Sequence, residues 1–213
     1  MCAKCCNLTA GETERGKWHK VELMNEADAR RTGLIVLTGF RATGKTAVGR
    51  LLAQLCGYEF ADTDAMLIKR MGCSIAEAIA QQGWQYFREQ ERLLLVELAS
   101  WRNTVIATGG GAILHQQEWE LLRKQAFVIW LRTELASTLA RLRQDENTAG
   151  QRPALPCQAS GQGLEAETAA LLAEREPLYQ AGSDVVVETA ERTAGEVAEA
   201  VCSRIGLKQF NKN

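Results

Sequence analysis

Leu34-Ile35-Val36-Leu37-Thr38-Gly39-Phe40-Arg41-Ala42-Thr43-Gly44-Lys45-Thr46 is the stretch that decides the fold. A short apolar run passes into a GxxxxGKT loop and then into a helical pattern that continues to Cys56, with Gly57 as its stop. Strand, glycine-rich turn and helix start, in that order, gather backbone N–H groups around a phosphate at the positive end of the helix dipole. Glycines at 39 and 44 allow backbone angles and a closeness of approach that a Cβ would obstruct. Lys45 is placed to reach the β- and γ-phosphates of a nucleoside triphosphate, and Thr46 to ligate Mg²⁺. The expected nucleotide-binding set is therefore Gly39, Phe40, Arg41, Ala42, Thr43, Gly44, Lys45, Thr46 and Ala47.

Outward from this loop, four more apolar and β-branched runs recur at 58–62, 104–108, 127–131 and 184–188. Helix-compatible sequence separates them: one pattern begins at Trp84, where Trp84, Phe87, Leu94, Leu95 and Leu98 repeat near helical spacing, and others cover 115–125, 133–143, 164–180 and 194–205. That alternation predicts an α/β fold, a parallel sheet covered by helices. Ligands of such sheets collect at the carboxyl ends of the strands. The second run ends there in Asp62-Thr63-Asp64 and the third in Thr108-Gly109-Gly110-Gly111. The segment 145–163, with Gly150, Pro153, Pro156, Gly161 and Gly163 and few large apolar residues, reads as a mobile lid.

Composition narrows the function class. A chain of 213 residues with 46% hydrophobic residues can bury one substantial core, which predicts a single enzyme-sized domain over 33–207. Residues 1–32 are mostly polar and read as a flexible extension, and 208–213 as a short tail. The 25 basic and 26 acidic residues leave a net charge of −1, without the broad positive field of a nucleic-acid binder. No apolar run approaches the roughly 20 residues that cross a bilayer, and the N-terminus has no hydrophobic signal core. The expectation is a cytoplasmic monomer with neither nucleic acid nor membrane as partner. Seven scattered cysteines do not form a disulfide framework, so reduced thiols are expected, with Cys56, Cys73 and Cys202 packing between helices. Cys2, Cys5, Cys6 and His19 lack a second CxxC pair at zinc-finger spacing. His19 and His115 show no neighbour in sequence that would mark a catalytic base.

Six features in order, the GxxxxGKT loop, Asp62-Thr63-Asp64, Phe87-Arg88 with Glu91, Gly109-Gly110-Gly111, Arg152-Pro153 and Arg175-x-Pro-Leu-Tyr179, together resemble the shikimate kinase family over about 34–188. The resemblance implies a P-loop kinase fold of the nucleoside-monophosphate-kinase type, with five parallel strands in order 2-3-1-4-5. It implies transfer of the ATP γ-phosphoryl group to the 3-hydroxyl of shikimate, with Mg²⁺. In this resemblance Asp62 joins Thr46 at the metal, and Asp64 holds the attacking hydroxyl and is the candidate general base. Arg88, held by Glu91, and Arg175 clamp the shikimate carboxylate through bidentate guanidinium geometry. Gly109, Gly110 and Gly111 lie against the ring, Arg141 stacks on adenine, and Arg152 swings from the lid over the phosphates. Lys45, Asp64 and Arg152 form the expected catalytic group.

Plainer roles exist for the same residues. Asp62 or Asp64 can cap the helix that follows, Arg88 and Glu91 can be an ordinary i,i+3 surface pair, and Arg175 and Arg152 can be solvated charges. Ala42 stands where the family more often has glycine, and Arg41 adds a charge to the loop that either tightens nucleotide binding or points outward. Other readings of the whole chain are a different small-molecule P-loop kinase, such as a gluconate kinase, or a nucleotide-binding regulatory protein without turnover.

Overall fold

The computed structural model describes residues 33–144, 161 and 163–205. The 1–32 extension, nearly all of the 145–163 lid with Arg152, and the 208–213 tail lie outside the described residues. Strands β1 (Leu34–Thr38), β2 (Glu59–Asp62), β3 (Thr104–Ala107), β4 (Phe127–Arg132) and β5 (Val185–Glu188) form one all-parallel sheet in the order β2-β3-β1-β4-β5. Seven α-helices are present among the described residues: α1 (Lys45–Cys56), α2 (Thr63–Met71), α3 (Ile75–Leu98), α4 (Gln116–Arg123), α5 (Leu135–Gln144), α6 (Leu164–Ala181) and α7 (Ala194–Arg204). The expected strand order is the observed one.

The central strands β3, β1 and β4 are buried on both faces, and their two-residue period sorts the side chains into two cores. Leu34, Val36, Ile106, Val128 and Trp130 point to one face and pack with Leu67 of α2, Phe87, Leu94 and Leu98 of α3, Trp119 of α4 and Leu171 and Tyr179 of α6. Ile35, Leu37, Val105, Phe127, Ile129 and Leu131 point to the other, where α1 and α7 supply Val48, Leu52, Val197 and Val201. Alternate residues of one strand thus feed opposite layers, and the strands read as continuous apolar runs. Cys56 and Cys202 are buried in this second core. The neighbouring Cys202 thiol, and then burial, pushes the Cys56 thiol up from the usual range, and Cys56 in turn draws Cys202 down.

Two helical features differ from the sequence reading. Helix α2 has no counterpart in the patterns read above; it is nine residues long, begins at the Asp62 cap and stops at Gly72, whose φ of 72° is left-handed. Helix α3 starts at Ile75 rather than at Trp84. A reciprocal capping box between Ser74 and Glu77 starts it, and Gly83 breaks it with φ 83° and ψ 168°. The apolar repeat from Trp84 onward therefore marks only the second half of α3, although Ala78 of the first half is buried as well. Among the described residues, no helix is long and apolar enough to cross a membrane.

Candidate active site

The parallel arrangement delivers the ends of β1, β2 and β3 to one edge of the sheet. A cavity of about 540 Å³ opens there, lined by the phosphate loop together with Asp62, Asp64, Thr108 and Gly110. The loop is built as its glycines require. Gly39 has φ 139° and a Cβ there would meet the carbonyl oxygen of Leu131, while Gly44 has φ 87° at the mouth of α1. Thr43 closes the loop by donating to the Phe40 carbonyl at 2.9 Å. Lys45 Nζ lies along the loop, donating to the carbonyls of Gly39 at 2.9 Å and Phe40 at 2.6 Å. Ala42 adopts φ 61°, a left-handed conformation without a glycine, which accounts physically for the family's preference at this position. Arg41 turns toward α6, where Glu167 lies 3.6 Å away.

The two aspartates at the end of β2 divide their work. Asp62 Oδ1 caps α2, accepting from the backbone N–H groups of Asp64 and Ala65 at 3.0 and 3.2 Å. Its Oδ2 accepts from Thr46 Oγ1 at 2.7 Å. The cap role and the metal-side position thus belong to one residue. Thr46 and Asp62 present hard oxygen donors side by side next to the loop, a donor set that suits Mg²⁺. Asp64 faces the three-glycine turn. Its carboxyl is pushed up to about 6, first by burial, then by the charges of Asp62 and Glu91, against the opposing pull of Lys45.

The turn after β3 is where the remaining site residues meet. A Cβ on Gly109 would lie 2.5 Å from Asp64 Oδ1, and one on Gly111 would collide with the guanidinium of Arg88. These glycines therefore leave room for neighbouring protein side chains, whereas the sequence reading assigned that room to a bound ring. Thr63 Oγ1 accepts from Gly109 N at 2.8 Å. The Gly110 carbonyl accepts from Tyr179 Oη at 2.6 Å and from Arg175 at 3.2 Å. Tyr179 stacks on Trp130, and its burial raises its phenol to about 12. Arg175 is only 4% exposed, and among the described residues its Nε has no hydrogen-bond partner. A buried guanidinium with an unmatched donor fits an anionic ligand.

Arg88 is ion-paired with Glu91 and lies over the ring of Trp84, 5.2 Å from its centroid. Glu91 is buried, at 5% exposure, so the pair is not the solvated surface pair that i,i+3 spacing alone suggests. Glu91 Oε2 also meets His115 Nε2 at 3.3 Å. The sequence reading that left His115 without a partner is corrected by this contact across 24 residues. On the far side of the phosphate loop, Arg141 donates to the Ala42 carbonyl at 3.2 Å and to the Thr189 carbonyl at 2.7 Å, bridging the loop to the segment after β5. Tyr179, Thr63 and His115 are the site residues to which the sequence reading gave no role. Tyr179 was quoted within a motif, but nothing in one sequence marks which carbonyl its hydroxyl serves.

The phosphate loop, Asp62, Asp64, Arg88, Gly109–Gly110–Gly111 and Arg175 are thus brought together, Arg141 flanks them, and Arg152 lies outside the described residues. Known proteins resemble this chain along most of its length. The family model described as "Shikimate kinase" matches residues 41–206. Shikimate kinase from Moorella thermoacetica is 41% identical over 170 residues, covering 79% of this chain and 92% of the relative. Shikimate kinase from Syntrophus aciditrophicus is 34% identical over 181 residues, covering 83% and 93%. Among solved structures, that of shikimate kinase from Acinetobacter baumannii in complex with shikimate has a TM-score of 0.72 and 32% identity, covering 84% of this chain and 96% of that one. With the model matching most of its length and relatives matching nearly end to end, the chain belongs to the shikimate kinase family.

Proposed function

We propose that the chain transfers the γ-phosphoryl group of ATP to the 3-hydroxyl of shikimate, giving ADP and shikimate 3-phosphate on the route to chorismate and the aromatic amino acids. The observation that carries this reading is the convergence of Asp64, Arg88 and Arg175 on the three-glycine turn beside a phosphate loop. A carboxylate for a hydroxyl and two arginines for a carboxylate are what an acidic polyol needs. Thr46 and Asp62 would hold Mg²⁺, which would supply positive charge against the phosphates.

The chain's own groups do the rest. Backbone N–H groups of the loop and the N-terminus of α1 cradle the phosphates, and Lys45 adds positive charge on that side. Asp64, ionised above about pH 6, accepts the hydrogen bond of the attacking hydroxyl and orients it in line. Arg88 and Arg175 fix the substrate carboxylate, and Tyr179 and Arg175 fix the Gly110 carbonyl behind it. Arg141, anchored to Ala42 and Thr189, offers its guanidinium to adenine. By the family resemblance Arg152, which lies outside the described residues, supplies positive charge to the transferring group. Residues 33–207 act as one catalytic domain with 1–32 as an appendage, in a cytoplasmic monomer without membrane partner, and the near-balanced charge supports the absence of a nucleic-acid partner.

The test is a coupled ADP-release assay with Mg-ATP and shikimate, gluconate or no acceptor. Release that requires shikimate is the expected result. Gluconate-dependent release would move the assignment to another small-molecule kinase, and ATP binding without release to any acceptor would make the chain a non-catalytic nucleotide binder.

A further inference from the structure

We propose that His115 is a positioning residue for the substrate-carboxylate clamp: its Nε2–H shares Glu91 Oε2 with Arg88, so that one buried carboxylate sets both the arginine and the glycine turn. The inference rests on the reading that Arg88 holds the substrate carboxylate.

Three observations carry it. First, Glu91 Oε2 is the common acceptor of Arg88 and of His115, the latter at 3.3 Å. An ionised carboxylate only accepts, so Nε2 carries a hydrogen whether the ring is neutral or charged. Second, the other oxygen, Oε1, faces the turn, 3.5 Å from where a Cβ on Gly109 would stand. Third, His115 ends the 3-10 turn Ala112–Leu114 that follows directly from Gly111. It precedes α4 without capping it through its side chain, which leaves the ring for Glu91.

The consequence is geometric. Arg88 sits on α3, and the glycine turn follows β3; Arg92 and Glu118 tie α3 to α4 further downstream, whereas His115 and Glu91 make the tie at the clamp itself. His115 ties the downstream end of the turn to the same oxygen that orients the guanidinium, so clamp and turn keep a fixed separation. Other charges around the ring are Glu89, Arg88 and Arg92 on α3 and Glu118 on α4, with Arg92 bridging Glu89 and Glu118. These acidic groups are matched by Arg92, which leaves Glu91 as the acceptor for the imidazole.

The experiment compares His115→Leu, His115→Asn and His115→Gln in the full chain, reading KM for shikimate, KM for ATP, kcat and melting temperature. Leucine removes the donor, the asparagine amide stops short of Glu91, and the glutamine amide can reach it. The expected result is a shikimate KM raised about three- to tenfold in the leucine and asparagine variants, the size of one net hydrogen bond. Glutamine is expected to restore the parental KM, with kcat and KM for ATP little changed throughout. Equal effects in all three variants, no effect in leucine and asparagine, or a fall in kcat alone would overturn the proposal. Arg88→Lys separates the two levels. If it leaves shikimate KM unchanged, the clamp reading falls and this proposal with it; if it raises KM while His115→Leu and His115→Asn do not, the positioning role alone is wrong.

Discussion

Thr46 Oγ1 donates to Asp62 Oδ2 at 2.7 Å, joining the first turn of α1 to the end of β2. The other oxygen of the same carboxylate starts α2. Asparagine at position 62 keeps an oxygen for the cap and loses the charge. We expect Asp62→Asn to melt within about 2 °C of the parent while raising the Mg²⁺ concentration for half-maximal activity by about tenfold or more. Thermal melts beside a Mg²⁺ titration of ADP release check this; a large loss of melting temperature would show that the cap needs the charge.

Asp64 gives a prediction whose sign changes between activity and stability. Its raised pKa means that the folded chain holds the proton more tightly than the unfolded chain does, so the ionised carboxyl is a penalty present above about pH 6. That penalty is relieved as pH falls through 6 and is gone below the ordinary value of 3.8. Asp64→Asn is therefore expected to melt higher than the parent at pH 8, with the gap narrowing through pH 6 and closing near pH 4. Turnover should drop by about 10²-fold or more, with ATP binding mostly kept. In the parent, kcat should fall as pH is lowered through about 6. A variant no more stable at pH 8 would contradict the burial argument, and near-normal turnover the catalytic one.

Ala42 holds φ 61° in the phosphate loop. The left-handed region costs a residue with a Cβ about 1–2 kcal/mol, and glycine gives back about 0.4–1 kcal/mol through unfolded-state freedom. Ala42→Gly should stabilise by about 0.5 kcal/mol, which is about 1–2 °C in a domain of this size. Its carbonyl, the acceptor for Arg141, is unchanged, so KM for ATP should move less than about twofold. Differential scanning calorimetry and ATP kinetics decide it.

Tyr179 donates to a carbonyl that Arg175 also serves. Phenylalanine keeps the stack on Trp130 and removes one buried hydrogen bond, so Tyr179→Phe should cost about 1–2 kcal/mol in a denaturant titration. The same loosening of the Gly110 turn should raise KM for shikimate more than KM for ATP. Equal changes in both would show that the turn does not serve the acceptor side selectively.

Strands were legible because each is a short apolar run bounded by a break, and the phosphate loop because strand, glycines and helix follow one another in sequence. Helix α2 was not, since nine residues between Asp62 and Gly72 give only about two and a half turns of periodicity. The first half of α3 was missed because Ser74-x-x-Glu77 was not read as a capping box and Gly83 separates it from the Trp84 repeat. At the site, Asp62, Asp64, Arg88 and Arg175 were reachable through the family resemblance. The pairing of His115 with Glu91 and of Tyr179 with Gly110 depends on contacts over 24 and 69 residues, which spacing along one chain does not encode.

Gly109 and Gly111 bear on inhibitor resistance. A side chain at either position would displace Asp64 or Arg88 from where it now rests. A compound that imitates the acidic acceptor and sits against this turn would therefore be hard to escape by mutation there. Any residue large enough to push the compound out would first push aside the carboxylate or the guanidinium that the natural acceptor needs, so loss of binding and loss of turnover would arrive together.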